Sequence, residues 1–389
     1  MTDVVIAGGG VIGCAAAAFL RHQDGGIGVT VVEPDPTSEH AASPRASGGV
    51  RQLFSCPENV AMSGYTLEAI SDWPEFLVST PEAPDLGWHQ QGYLFVAEPA
   101  RADVLAANLE VQRAAGADAR WLDSDEVGRM FPLIRTDDLG GAVFSPRDGW
   151  LDPHAFLTGL RIKAERLGAT FVRDRVSGFE VAGRVVRVAR LESGSQIPAE
   201  AFVNAAGCWA PGLAAALGMP TPVTPMRRFD HYAETPADLS GLPFLKDPGY
   251  LAARPEGAGI QAGLVDWKQP RGFDPGDRRL AAGYFTEVVW PALAHRFPAL
   301  DQLSLRSSWH GFYDVNDLDG NMIIGNWPGQ LDNFYIACGF SGHGLMHAPA
   351  VGRALSELIL GGDYRTIDLT RMGYQRVVDG RPYRERGII

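Results

Sequence analysis

Three glycines in VVIAGGGVIGCAAAAFL, Gly8, Gly10 and Gly13, keep the G-x-G-x-x-G spacing between an apolar run and an alanine-rich stretch with helical periodicity. Each has a job in binding a dinucleotide: Gly8 permits the tight turn, Gly10 lets a pyrophosphate approach the backbone, and Gly13 lets the helix pack on the strand. Glu33, about twenty residues on at the end of VTVVE, offers a carboxylate to a ribose hydroxyl and repels a 2′-phosphate. The spacing alone is weak, but at a strand-to-helix turn with an acidic residue in register it predicts a dinucleotide, NAD or FAD. The carboxyl end repeats the chemistry in FYIACGFSGHGLMHAPAVGRAL, where Gly339, Gly342 and Gly344 separate an apolar run from a second stretch of helical spacing. Each motif is a strand turning into a helix whose first N–H groups lack partners and whose dipole favours negative charge. A nicotinamide cofactor needs one such start. A reduced flavin also carries negative charge around N1 and the C2 carbonyl, and a second helix start would stabilise it. An ordinary last strand and helix with a glycine turn is the alternative reading.

Composition narrows the partners. With 389 residues, 46% of them hydrophobic, the chain can bury a large core and is long enough for two domains. A net charge of −12 and no basic block argue against nucleic acid or an anionic membrane surface, and for a small molecule. Cys14, Cys56, Cys208 and Cys338 lie far apart without a Cys-x-x-Cys pair, so they read as buried thiols in a reducing compartment and no metal site is expected. The first strand leaves no room for a leader ahead of it and no apolar run reaches membrane-spanning length, so a cytoplasmic protein with no integral membrane segment is expected.

The elements that must position these residues come in blocks. Strand, helix and strand over residues 1–33 form one βαβ unit. Proline-rich turns, a strand over 92–97 and a helix over 103–115 then leave that pattern. A helix over 153–167, a strand over 170–173 and the strand, turn and small-residue helix of AFVNAAGCWAPGLAAAL resume it, residues 223–264 are strand-rich, and glycine-punctuated strand and helix return after 304. The expectation is an α/β fold, mixed with α+β, of two discontinuous domains. Residues 1–80, 140–220 and 305–389 form a Rossmann-like nucleotide-binding domain, and 81–139 with 221–304 form a mainly antiparallel-sheet substrate domain.

Taken together, GGGVIG, SPRASGGVR at 43–51, DGWLDPHAF, NAAGCWA, YDVNDLDGNMIIG and GFSGHGLMHAPAVGRAL resemble the D-amino-acid-oxidase-type family of FAD-dependent oxidoreductases, which includes glycine oxidase, sarcosine oxidases and dimethylglycine dehydrogenase. The motifs run from one end of the chain to the other. The carboxyl-terminal third is similar to a subgroup that includes a mitochondrial complex I assembly factor. The resemblance implies FAD extended across the first domain with its ring at the domain junction. Gly8, Gly10, Val11 and Ile12 would meet the pyrophosphate and Glu33 the ribose. Arg45, Ala46, Ser47 and Gly48 would follow the phosphates toward the flavin, and Val176 would meet the adenine. Ala206, Gly207 and Trp209 would flank the cofactor, and Gly342, His343, Gly344 and Leu345 would meet the pyrimidine edge.

The departures from the family pattern bear on function. The cysteine that some relatives join to flavin matches a place near Gly311, and the histidine used by others matches Arg45 or Ala46, which implies non-covalent FAD. The oxygen-activating lysine of monomeric sarcosine oxidase falls at Gln261 in GIQAG, which weakens the case for an efficient oxidase and leaves oxygen or a quinone-type acceptor. Carboxylate-clamping residues of relatives fall at Phe54, Met346 and near Tyr313. The catalytic candidates are Arg51, Arg254, His310, Gln261 and Tyr313, with strand alternation placing Tyr250 and Arg254 on one face for a substrate carboxylate. The implied reaction is oxidation of the C–N bond of a secondary, N-methyl or D-amino acid or related amine, by hydride transfer to flavin N5 and hydrolysis of the imine. A flavoprotein that mainly binds or assembles another protein, with FAD as structural ligand, is the other reading.

Overall fold

The computed structural model describes residues 3–39, 41–267, 271–272 and 283–386. A six-stranded sheet runs, in spatial order, Ile323–Trp327, Leu331–Cys338, Ala201–Asn204, Val4–Ala7, Val29–Val32 and Thr170–Val172. All neighbours are parallel except the first pair. The three central strands are buried along their whole length, as short valine- and isoleucine-rich runs must be when both faces of a parallel sheet are covered. The first helix (Val11–Gln23) follows the first strand directly and packs on the helices Pro153–Arg166 and Gly344–Gly361. Its alanines 15–18 are fully buried, and a Cβ at Gly352 would lie 2.7 Å from that of Ala15, so two small residues set how closely the first and last long helices approach.

The second sheet has eight strands, in the order Ser304–Asn316, Val223–Glu234, Gly259–Leu264, Leu251–Glu256, Phe244–Lys246, Tyr93–Ala97, Gly141–Ser145 and Arg120–Leu122. Every pairing is antiparallel except that between Phe244–Lys246 and Tyr93–Ala97. Two of these strands correct the expected boundaries. Gly141–Ser145 pairs with both Tyr93–Ala97 and Arg120–Leu122, and Ser304–Asn316 pairs along its length with Val223–Glu234, so both lie with the second sheet. Strand pairing partners are non-local and composition does not announce them. Tyr250 is a second correction: it adopts a left-handed φ of 66°, is exposed, and precedes the strand Leu251–Glu256, so it does not alternate with Arg254.

A strap near the carboxyl end ties the two ends of the chain. Glu385 accepts from the Ser55 N–H at 2.5 Å, the Cys56 N–H at 3.1 Å and the Asn59 side chain at 2.6 Å, which places a carboxylate at the start of the helix Pro57–Ser71. Tyr383 donates to Glu58 at 2.7 Å, and Asn108 donates to the Arg386 carbonyl at 2.7 Å. Among the described residues no helix is long and apolar enough to cross a membrane.

Candidate functional site

A cavity of ≈ 680 Å³ begins at the carboxyl ends of the central strands, at Ala7, Val32 and Ala205, and reaches the eight-stranded sheet. Both glycine motifs open on it. Gly8 needs its left-handed φ of 105°, because a Cβ there would sit 2.5 Å from the Ala205 carbonyl oxygen. The first helix starts at Val11 after Gly10 with no side-chain cap, and the last long helix starts at Gly344 after His343, also with none. Two positive helix ends therefore face one cavity, the first at Gly10, Val11 and Ile12, where the Val11 N–H donates to Ser43 Oγ at 3.4 Å, and the second at His343, Gly344 and Leu345. The turn before the second is held by Asp314, whose carboxylate accepts from the Gly339 N–H at 2.7 Å. Gly342 presses on the Tyr313 ring, where a Cβ would come within 2.5 Å.

Nearly all the expected cofactor residues come together. Besides the helix starts, Glu33, Arg45, Ala46, Ser47 and Gly48 line the cavity, as do Val176, Ala206, Gly207, Trp209 and Gly342. Glu33 accepts from the Gly9 N–H at 2.7 Å and the Asp35 N–H at 2.8 Å. Gly13 does not line it: a Cβ there would lie 1.9 Å from the Gly8 carbonyl oxygen, so its smallness serves helix packing. The catalytic candidates divide. Arg51 and Tyr313 line the cavity. Arg254 does not, because its guanidinium donates to the Ser47 carbonyl at 2.8 Å and pairs with Glu256, bracing the loop that carries Ser47. His310 pairs with Phe229 across the strands and packs on the rings of Phe229 and Phe312. Strand alternation puts it on the face opposite Gly311 and Trp309. Gln261 is buried between Arg254 and Tyr232, one row beyond the cavity wall, with its amide nitrogen unpartnered.

Three charged residues that sequence reasoning passed over complete the wall on the eight-stranded sheet: Arg228, Asp230 and Lys246. The first two stand two residues apart in MRRFDHYAE, an alternation that marks one strand face. Lys246 ends a strand of only three residues and gave no periodic signal. Burial pulls the Lys246 ammonium down to about 7, with Arg51 and Arg228 adding to the effect and Asp230 opposing it. Burial raises the Asp230 carboxyl above its ordinary value against the pull of Arg228 and Lys246. Burial likewise lowers Arg51, whose guanidinium lies 4.0 Å from the Phe54 ring centroid and 3.1 Å from His343 Nε2. His343 is held neutral by burial and by that same guanidinium. The other nitrogen of His343, Nδ1, is buried without a partner.

The residues present fit a flavin dinucleotide. A cavity with a glycine cradle at one positive helix end and a second positive helix end beside Arg51 matches a pyrophosphate and a ring that becomes anionic on reduction. Among the described residues no group of three or more His, Cys, Asp or Glu is placed to hold a metal ion.

The profile of the DAO family, described as FAD dependent oxidoreductase, matches residues 3–358. FAD-dependent oxidoreductase domain-containing protein 1 of Xenopus laevis is 34% identical over all of this chain and 85% of its own length. Glycine oxidase of Geobacillus kaustophilus is 26% identical over 92% of each chain. Among solved structures, L-proline dehydrogenase from P. horikoshii superposes with a TM-score of 0.86 at 26% identity, covering 98% of this chain and 99% of its own.

Proposed function

Because the chain belongs to the DAO family of FAD dependent oxidoreductases, we propose that it oxidises the C–N bond of an amino acid or related amine. The observation that carries this reading is the pair of glycine-turn helix starts on one cavity whose far wall bears Arg51, Arg228, Asp230 and Lys246. FAD, when bound, supplies the hydride acceptor. Gly10, Val11 and Ile12 would hold the pyrophosphate, Glu33 the ribose and Gly342 to Leu345 the flavin, and Arg51 would supply positive charge to the reduced ring. The apolar side chains of Val265, Trp267 and Phe312 on the cavity wall exclude water from the neutral amine and orient its α C–H. The cofactor is held non-covalently, since Gly311 faces Arg45, 3.2 Å from its Cβ to the Cβ that a side chain would add, and neither position offers a thiol or imidazole. A cytoplasmic setting, oxygen or a quinone-type acceptor, and the division into cofactor and substrate domains belong to the same reading.

Acid precipitation of the purified protein should release FAD into the supernatant, and flavin retained in the pellet overturns the non-covalent assignment. Anaerobic mixing with a panel of N-methyl, cyclic and D-amino acids should bleach the flavin for at least one class. If none does, the cofactor has a structural role and the protein acts by binding or assembly.

A further inference from the structure

The pairing register aligns one row of side chains across the eight-stranded sheet. Lys246 lies opposite Ala252, Ala252 opposite Gly263, and Asp230 opposite Trp309. His231 pairs with Ala262, which brings Asp230 alongside Gly263. A Cβ on Gly263 would fall 2.2 Å from Asp230 Oδ1 and 2.9 Å from Arg228 Nη1, so both head groups fold over the bare glycine. Lys246 and Asp230 thus stand in one row, with only an alanine and a glycine between them. Three strand spacings separate their backbones, about 14 Å. The floor between them carries nothing larger than a methyl group, Asp230 leans over the glycine, and the two charges lie close enough to influence each other.

Both groups line the cavity, and both lack partners. Among the described residues neither the Lys246 ammonium nor the Asp230 carboxylate has a hydrogen bond or ion pair, although Asp230 is only 6% exposed. Arg228 commits its guanidinium to the Phe229 carbonyl at 3.0 Å and to Tyr313, and forms no ion pair with Asp230. Leaving two opposite charges poorly hydrated and unpaired costs stability, and a structure retains such groups where a ligand completes them.

We propose that Lys246 and Asp230 form a dipolar slot for an α-amino or α-imino acid, the lysine taking the carboxylate and the aspartate the amine N–H. This rests on the amine-oxidation reading and narrows its substrate class: the molecule must carry a carboxylate beside the oxidisable amine. Arg51 and Arg228 reinforce the positive end, His343 remains neutral beside Arg51, Tyr93 on the next strand and Tyr313, bonded to Arg228, line the same cavity, and Arg254 lies one row away.

The test uses FAD-loaded protein and matched pairs of compounds that differ only in the carboxylate: L-proline with pyrrolidine, and N-methylglycine with dimethylamine. Dissociation constants come from anaerobic flavin reduction, and flavin occupancy with the melting temperature shows that each variant is folded. A charged hydrogen bond of this kind is worth roughly ten- to a hundredfold in affinity. Lys246→Met should weaken the amino acids by that factor and leave the amines unchanged, with Lys246→Arg recovering much of the loss. Asp230→Asn should weaken both members of each pair. Equal losses for acid and amine in Lys246→Met, or no loss, would overturn the slot. If no compound reduces wild-type flavin, the oxidation reading fails while the slot is still read by acetate, whose perturbation of the flavin spectrum should require at least tenfold more ligand in Lys246→Met. An unchanged acetate titration then overturns the slot as well.

Discussion

Gly10 and Gly13 stand three residues apart and are small for different reasons. At Gly10 a Cβ would meet nothing nearer than Ser43 Oγ at 3.6 Å, and it would project where a pyrophosphate approaches the helix start. At Gly13 a Cβ would collide with the Gly8 carbonyl. Gly10→Ala should therefore leave the melting temperature of the apoprotein unchanged and lower FAD affinity at least tenfold by fluorescence titration, with Gly10→Val abolishing retention. Gly13→Ala should destabilise the apoprotein itself, by about 1–3 kcal/mol in urea unfolding, from overpacking. The glycine spacing was legible because it reports backbone constraints, which act locally. Arg254, His310 and Gln261 do not line the cavity, because whether a strand residue faces it depends on register and on which row the cavity meets. Arg254 and Gln261 share the slot's sheet face and still fall one row short of it. Lys246 was invisible for a related reason, as a lysine ending a three-residue strand carries no periodicity to mark it.

At the scale of elements, the two helix starts are spaced by the helices behind them. Gly352 meets Ala15, so the missing side chain there lets the first and last long helices approach closely. A valine there forces the axes apart and moves both N-terminal ends relative to the cavity they share. Gly352→Val should cost about 2 kcal/mol or more despite the better helix propensity of most residues over glycine. It should also weaken FAD binding although the residue does not line the cavity; an unchanged FAD dissociation constant would show that the helix ends are positioned by their turns alone. Both helices and their glycine turns were readable from 3.6-residue periodicity. Their mutual packing was not, because small residues along a helix face fit many partners equally well.

Across the whole molecule, buried ionisable groups set how stability depends on pH. Asp148 is buried, accepts from the Gln52 N–H at 2.9 Å, and is pushed by that burial from 3.8 up to about 7. A carboxyl raised in the fold binds its proton more tightly there than in the unfolded chain. Stability is then lost as pH rises from about 4 through about 7. Burial lowers His347 from 6.5 to about 3, which has the opposite sense: stability is lost as pH falls below 6.5. Asp148→Asn should accordingly gain about 2 kcal/mol or more over wild type at pH 8 and show little difference at pH 4, measured by urea unfolding at both. A difference of the same size at both values would mean that Asp148 ionises freely in the fold.

The strap also sets the order in which the molecule can be completed. Ser55 precedes Glu385 by 330 residues. A ribosome adding about 5–20 residues each second leaves the loop at 51–56 waiting for roughly half a minute before its anchor exists. Arg51, which that loop carries into the cavity, likewise waits for His343 from the same late part of the chain, so this wall of the cavity is completed late. A chain cut after Gly380 should remain at that stage: protease should nick it within 51–56 even with FAD present, where the intact protein resists.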